Sequence, residues 1–522
     1  MRTVETVLFL VVVATVVATF AKRIRVPTPS LLVVAGVVVG LLPGVPTIQV
    51  TPEIVSLVVL PPLLFAAGEE LPWRDLRAVW RPVTVLAVGL VLVSAAAVSA
   101  VAVALTPLPV GMAFVLGAVL ASTDPVAVTA LGRRLSLPPR VQALVQAESL
   151  FNDATSLLLF KVALSLAVAV GAVSWGHTLT EFGVLAGGGV LAGVLVAAGA
   201  YLIRRRTEDP VLETVTSLVT PYAAYVAAEA VHASGVTAVV VASVLLGTRT
   251  TRITTAHIRL QVGAVSGTVV FLLESVVFSL IGLQLPELVR RLAAAGAGTT
   301  WLLPALAITA TLVVMRILWV FPLAAIGQRR RGARPSWQVP VVVSWAGARG
   351  VVPLAAALSI PLTAADGSLL PYRDLVLVLA AAVIVITLVV QGFTFAPLVR
   401  RTGIALDPQD VRQEHAMARA SLAEAGLAHL EELAESETAP EFVITELQRS
   451  WRARLDRVQA HDGDDPSATA ASATYRDLRR ALLAVEGAEL TRLYEAGMIT
   501  DATRRGIQRT LDLENAGLGD PD

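Results

Sequence analysis

The stretch Trp345-Ala346-Gly347-Ala348-Arg349-Gly350-Val351-Val352-Pro353 stands in the middle of an apolar segment, 339–360, long enough to cross a bilayer. Two glycines and a proline within nine residues interrupt an α-helix, because glycine weakens it entropically and proline removes a backbone donor. Inside hydrocarbon such a break survives only where protein or a water-filled cavity surrounds it. An arginine at that depth adds a further requirement, a carboxylate partner. A second break has the same form: Ser122-Thr123-Asp124-Pro125 lies within the apolar segment 110–132. Two interrupted spans in corresponding places predict inverted repeats, with a pair of discontinuous helices crossing near the midplane where secondary transporters hold ions.

Outward from these segments the chain stays apolar. Of its 522 residues 55% are hydrophobic and only 16% charged, and mean hydropathy is +0.72, whereas about a quarter of a soluble domain is charged. An integral membrane protein follows. Apolar stretches at 5–21, 29–43, 53–67, 82–104, 110–132, 141–171, 180–203, 210–231, 235–247, 262–285, 301–326, 339–360 and 374–399 predict an all-α polytopic fold of about 13 transmembrane helices. No small-residue cleavage site leading into a hydrophilic domain follows the first stretch, so it is expected to remain in the protein. With a cytoplasmic C-terminus, the inner segments carry 21 Lys/Arg, and the outer ones only Arg2, Arg290, Arg291 and Arg373. That bias predicts an inner or plasma membrane protein with its N-terminus outside.

Charge divides the chain near residue 403. Residues 404–522 hold 13 Arg, no Lys and 23 acidic residues, against 28 basic and 17 acidic residues before them. The prediction is a transmembrane domain, 1–403, and a cytoplasmic helical tail, 404–522, with helical spacing at Leu478, Leu482 and Val485 and a break around His461–Pro466. So acidic a tail argues against nucleic-acid binding, and the absence of cysteine excludes disulfides and thiolate sites. The six histidines fall in loops, span ends or the tail, so no histidine base stands beside a mid-span serine, which argues against an intramembrane hydrolase or transferase. A channel or cation sensor is the other rival; cation-dependent, saturable dissipation of a pH gradient separates exchange from conduction.

The densest polar group is Glu148-Ser149-Leu150-Phe151-Asn152-Asp153 in the sixth span. Glu148 and Asn152 are four apart, as are Ser149 and Asp153, so each pair stacks one turn apart on a helix. Arg349 needs an acidic partner, and Glu148 is expected to supply it as a structural ion pair. Asp153 is then left as the unpaired carboxylate, able to hold a proton or a small cation but not both. Ser149, Thr123 and backbone carbonyls are hard oxygen ligands suited to an alkali cation. Asp124 is expected to cap the half-helix that begins at Pro125. Such exchange needs no cofactor; its partners are the two cations and membrane lipid.

The strings Ala121-Ser122-Thr123-Asp124-Pro125, Glu148-Ser149-Leu150-Phe151-Asn152-Asp153-Ala154-Thr155 and Gly347-Ala348-Arg349-Gly350 resemble the monovalent cation:proton antiporters, in particular the bacterial NhaP-like sodium/proton exchangers. The resemblance runs over roughly residues 5–400. It implies a homodimer, with a dimerisation domain and a mobile six-helix core moving elevator-fashion. It implies Na+, or Li+ or K+, exchanged for H+, with Asp153, Ser149 and Thr123 as cation ligands. It further implies Asn152 as the neighbour marking electroneutral one-for-one exchange, and Arg349 with Glu148 as the core-stabilising pair. One departure stands out: Ala66 occupies a position where the family often has Glu. Glu69 and Glu70, one turn on, are expected at a solvated helix end. Glu274 is a candidate for the ion path or for an ion pair, Glu213 and Glu229 for span ends, and Lys161 and Arg316 for snorkelling or pairing.

Overall fold

A computed structural model describes residues 2–24, 27–42, 55–71, 73–125, 135–168, 175–207, 209–249, 254–294, 300–330, 336–362, 370–436, 440–462, 466–496 and 498–518. The chain divides into two compact units, Met1–Ala405 and Leu406–Asp522. No strand occurs among the described residues.

The first unit is built of helices that coincide with the apolar stretches of the sequence. It opens with α1 (Arg2–Ile24), α2 (Thr28–Leu41) and α3 (Leu60–Glu69), the last entered through a widened turn at Val55–Val59. Next come α4 (Trp73–Thr84) and α5 (Val91–Leu105), which form one continuous rod. Pro82 lies within α4, and the widened turn Val85–Leu90 follows it, as expected where a proline deprives the ladder of a donor. Then follow α6 (Val110–Ala121), α7 (Pro139–Val168), α8 (Trp175–Arg206), α9 (Pro210–Ala230) and α10 (Gly235–Gly247). Long helices α11 (Ala256–Ala294) and α12 (Leu302–Arg330) precede the broken pair α13 (Gln338–Trp345) and α14 (Val351–Leu358), and α15 (Arg373–Thr402) closes the unit. Six of these rods, counting α4 and α5 as one, are long and apolar enough to cross a bilayer among the described residues.

Burial explains the order of packing. Every residue from Leu375 to Ile384 in α15 is buried, and a helix apolar on all sides belongs at the centre of a bundle. Where α2 and α11 cross, small residues let the backbones touch: a Cβ on Gly36 would sit 3.0 Å from Gly282 Cα. Close approach through small residues is how helices gain contact in a bilayer, where lipid is as apolar as leucine.

The second unit consists of α16 (Pro408–Glu435), α17 (Glu441–Asp462), α18 (Pro466–Glu495) and α19 (Asp501–Gly517). The expected division near 461–466 falls between α17 and α18, and each of those two portions is itself divided again. Asp407 caps α16 and Thr500 caps α19 through side-chain oxygens, each satisfying an orphan backbone donor of the first turn. Leu478, Leu482 and Val485 are exposed on α18.

Candidate functional site

Both sequence breaks are breaks in the structure. Helix α6 stops at Ala121 and α13 at Trp345, and the segments that follow lie side by side. Asp124 N–H donates to the Ala348 carbonyl at 2.7 Å in an isolated antiparallel bridge. Gly350 is required here by space: a Cβ on it would lie 2.5 Å from Asp124 Cβ and deeper still in the Asp124 carboxylate.

Charges complement the helix ends at this crossing. Arg349 is 3% exposed; its Nε donates to the Leu120 carbonyl at 2.9 Å and its Nη1 to the Gly347 carbonyl. These acceptors lie at the C-terminal ends of α6 and α13, where the helix dipole is negative and carbonyls lack intrahelical partners. Asp124 Oδ2 accepts from Val351 N–H at 3.4 Å, at the positive N-terminal end of α14. The carboxylate thus meets the N-terminus of the other crossing segment, a contact the sequence reading did not name. The expected cap on the half-helix beginning at Pro125 falls on residues 126–134, which lie outside the described residues.

The expected Glu148–Arg349 pair is replaced by another. Glu148 on α7 is 1% exposed and is gripped by both terminal nitrogens of Arg316 on α12, with Nη2–Oε2 at 2.8 Å. Arg316 Nε also donates to the Val343 carbonyl at 3.1 Å. Arg349 sits among carbonyl acceptors at two helix ends, while α12 packs its arginine flat against Gly347, where a Cβ would lie 2.7 Å from Arg316 Cδ. The two-pronged grip is the geometry a guanidinium offers a carboxylate.

One turn along α7, the polar side chains face the extended segment 122–124. Ser122 Oγ donates to Asp153 Oδ1. Ser149 Oγ donates to the Thr123 carbonyl at 2.8 Å. Asn152 and Thr123 are matched twice, Nδ2 to Oγ1 at 2.6 Å and Thr123 N–H to Oδ1 at 3.4 Å. Ser156 Oγ reaches the Ala118 carbonyl at 2.7 Å, on the last turns of α6. Thus Asp153, Ser149, Asn152 and Thr123, named from the sequence, come together, all buried. Asp153 is 7% exposed, and among the described residues no arginine or lysine is paired with it. Ser122 brings a hydroxyl to that carboxylate, and Ser149, one turn before Asp153 on α7, is bonded to the carbonyl of Thr123, the residue after Ser122; one charge and neutral oxygens are a donor set that suits a monovalent alkali cation. No group of three or more His, Cys, Asp or Glu side chains able to hold a metal occurs among the described residues.

Two functional residues went unassigned by the sequence. Ser122 lay inside a quoted motif, but only the fold shows its hydroxyl turned to Asp153. Arg316 carried a usable signal, since a charge in a span must find a partner. Among the other in-span charges, Lys161 pairs with Glu229 at 2.6 Å, each more than a third exposed. Glu69, the last residue of α3, is partly exposed and meets the buried Arg204 at 3.3 Å, and Glu70 beside it is exposed. Glu213 is buried in the first turn of α9, and Glu274 is half-buried on α11.

A family model described as sodium/hydrogen exchanger, transmembrane, matches residues 10–401. An uncharacterized Na+/H+ exchanger of Mycobacterium tuberculosis is 34% identical over 537 residues, spanning 99% of this chain and 96% of the relative. A sodium, potassium, lithium and rubidium/H+ antiporter of Bacillus pumilus is 32% identical over 75% of this chain and 60% of its own. The Na+/H+ antiporter ApNhaP of Aphanothece halophytica is 32% identical over 78% and 75% respectively. In fold, the sodium proton antiporter MjNhaP1 of Methanocaldococcus jannaschii superposes with a TM-score of 0.62 at 19% identity, covering 77% of this chain and 99% of the neighbour.

Proposed function

Because the chain belongs to the sodium/hydrogen exchanger family, we propose that it exchanges Na+ for H+ across the membrane one for one, with Asp153 as the site the two cations occupy in turn. It is a multi-pass integral membrane protein of the NhaP-like antiporter kind, a transporter and not an enzyme. The observation that carries the site assignment is the distribution of charge around the crossing. Glu148 is neutralised by Arg316, and Arg349 is taken up by carbonyls at helix ends. Among the described residues no arginine or lysine pairs with Asp153, which accepts from the Ser122 hydroxyl, so its charge is left to be balanced by what it binds. A proton satisfies it, and so does an alkali cation coordinated by Ser122, Ser149 and Thr123.

The finer reading extends this. Residues 1–403 form the transport domain, with a stationary dimerisation part and a six-helix core that carries the site between faces elevator-fashion; 404–522 form a cytoplasmic tail. The N-terminus lies outside. Thirteen spans arranged as inverted repeats place the two broken helices in related positions, and the protein works as a homodimer. Li+ and K+ join Na+ as cargo, a reading supported by the cation range in the name of the Bacillus pumilus relative. Asn152, bonded to Thr123 and carrying no charge, keeps the stoichiometry electroneutral.

The test is cation-driven dissipation of a pH gradient in proteoliposomes. Asp153→Asn abolishes flux, while in the wild type the apparent KM for Na+ rises as pH falls, by up to about tenfold per pH unit where protons compete fully for one site. Undiminished flux in the variant, or a KM indifferent to pH, would overturn the assignment.

A further inference from the structure

The structure carries a second polar feature far from the crossing. Where α5 and α11 end and α12 and α15 begin, a cavity of ≈480 Å3 opens, walled by Leu105, Leu292, Trp301 and Leu375. That volume falls in the range of small-ligand sites, about 300–1,000 Å3. Its polar end is formed by Tyr372, Arg373 and Asp374. We propose that this cavity holds the headgroup of a zwitterionic phospholipid, with the phosphate on Arg373, the ammonium on Asp374 and the glycerol region on the leucine wall.

Three observations support it. First, the two charges are close but not joined: Arg373 Nη1 and Asp374 Oδ1 are 3.9 Å apart, beyond hydrogen-bond reach. Arg373 Nε is fixed by the Ile360 carbonyl at 2.9 Å, which orients the guanidinium and leaves its terminal nitrogens to other acceptors. A neighbouring cation and anion match a phosphate and an ammonium carried on one molecule, better than either sign alone. Second, Tyr372 at the cavity rim has φ 61° and ψ 14°, a left-handed conformation that side chains with a Cβ avoid. Among the described residues no side chain caps the helix it introduces, and the first N–H groups of α15 are further donors for a phosphate. Third, the helix that begins beside the cavity carries exposed apolar side chains: Leu303 and Leu306 on α12, flanking the cavity-lining Pro304, are 69% and 48% exposed, a surface open to acyl chains. A free phosphate or phosphoethanolamine would use the charges but not the leucines.

The binding reading depends on the transport reading only for the leaflet concerned, which is the outer one in the orientation given above. The test is lipid retention by the purified full-length protein in native mass spectrometry, comparing phosphatidylethanolamine with phosphatidylglycerol. Phosphatidylethanolamine is expected to be held at least about fivefold more tightly. Asp374→Asn removes the preference, and Arg373→Gln weakens retention of both lipids about tenfold, the size of a charge-assisted contact. Equal retention of the two lipids by the wild type, or an unaltered preference in Asp374→Asn, overturns the proposal; so does displacement by soluble phosphoethanolamine at the lipid's own affinity, which would mark a solute site. Asp374 is 60% exposed on its side chain, so its variant decides the question even if Arg373→Gln does not fold. Na+-driven proton flux measured on the same preparations separates the two readings: lost flux with retained lipid preference counts against transport alone.

Discussion

Asp153 accepts a hydrogen bond from Ser122, and that single hydroxyl distinguishes it from an isolated buried charge. The Oγ serves the carboxylate as donor when no cation is present and can turn to offer a lone pair when one is. Ser122→Ala is therefore expected to leave the protein folded and to raise the KM for Na+ about tenfold, the loss of one contact to a charged group; an unaltered KM in the vesicle assay would remove Ser122 from the site. Glu148 and Arg316 behave differently, because both are almost wholly buried and each is the other's counter-ion. Arg316→Gln strands the Glu148 charge and should cost about 3–5 kcal/mol of stability. Thermal unfolding of the detergent-solubilised protein checks this, and the expected signature is that Glu148→Gln in the same chain restores part of the loss.

Among elements, the two broken helices hold each other through backbone and charge: the Asp124–Ala348 bridge, Asp124 on the N-terminus of α14, and Arg349 on the C-terminal carbonyls of α6 and α13. Gly350→Ala drives a methyl into Asp124, so it is expected to cost about 1–3 kcal/mol, as overpacking does, and to lower flux more than it lowers yield. The breaks themselves were legible in the sequence, because glycine and proline act on the backbone locally and stand inside apolar runs. So was the clustering of Ser149, Asn152 and Asp153, since helical spacing brings them to nearly one face; that Thr123 joins them was implied by the family resemblance and not by spacing. The partner of Glu148 was not legible. Arg316 lies 168 residues away, and whether it or Arg349 arrives depends on how α12 packs against α7, which no local pattern records. The contact of Asp124 with Val351 N–H was not legible for the same reason, the two residues lying 227 positions apart.

For the whole molecule, the issue is charge carried per cycle. Asn152 is neutral and bonded to Thr123 by two hydrogen bonds, which is the basis on which one-for-one exchange is proposed. Asn152→Asp adds a second carboxylate. Exchange by that variant is expected to become sensitive to membrane potential, read as a change in flux when a K+ diffusion potential is imposed on the vesicles; an identical response to that of the wild type would separate stoichiometry from this position.

The balance of opposite charges around the crossing has an electrical corollary. Two arginines, Arg316 and Arg349, stand against two carboxylates, Glu148 and Asp124, so on the elevator reading proposed above a body carrying these groups drags no net charge through the transmembrane field. Loaded with either H+ or Na+, Asp153 adds none. Voltage steps applied to a membrane packed with this protein should then evoke no displacement current beyond that of bare lipid, whichever way the sites face.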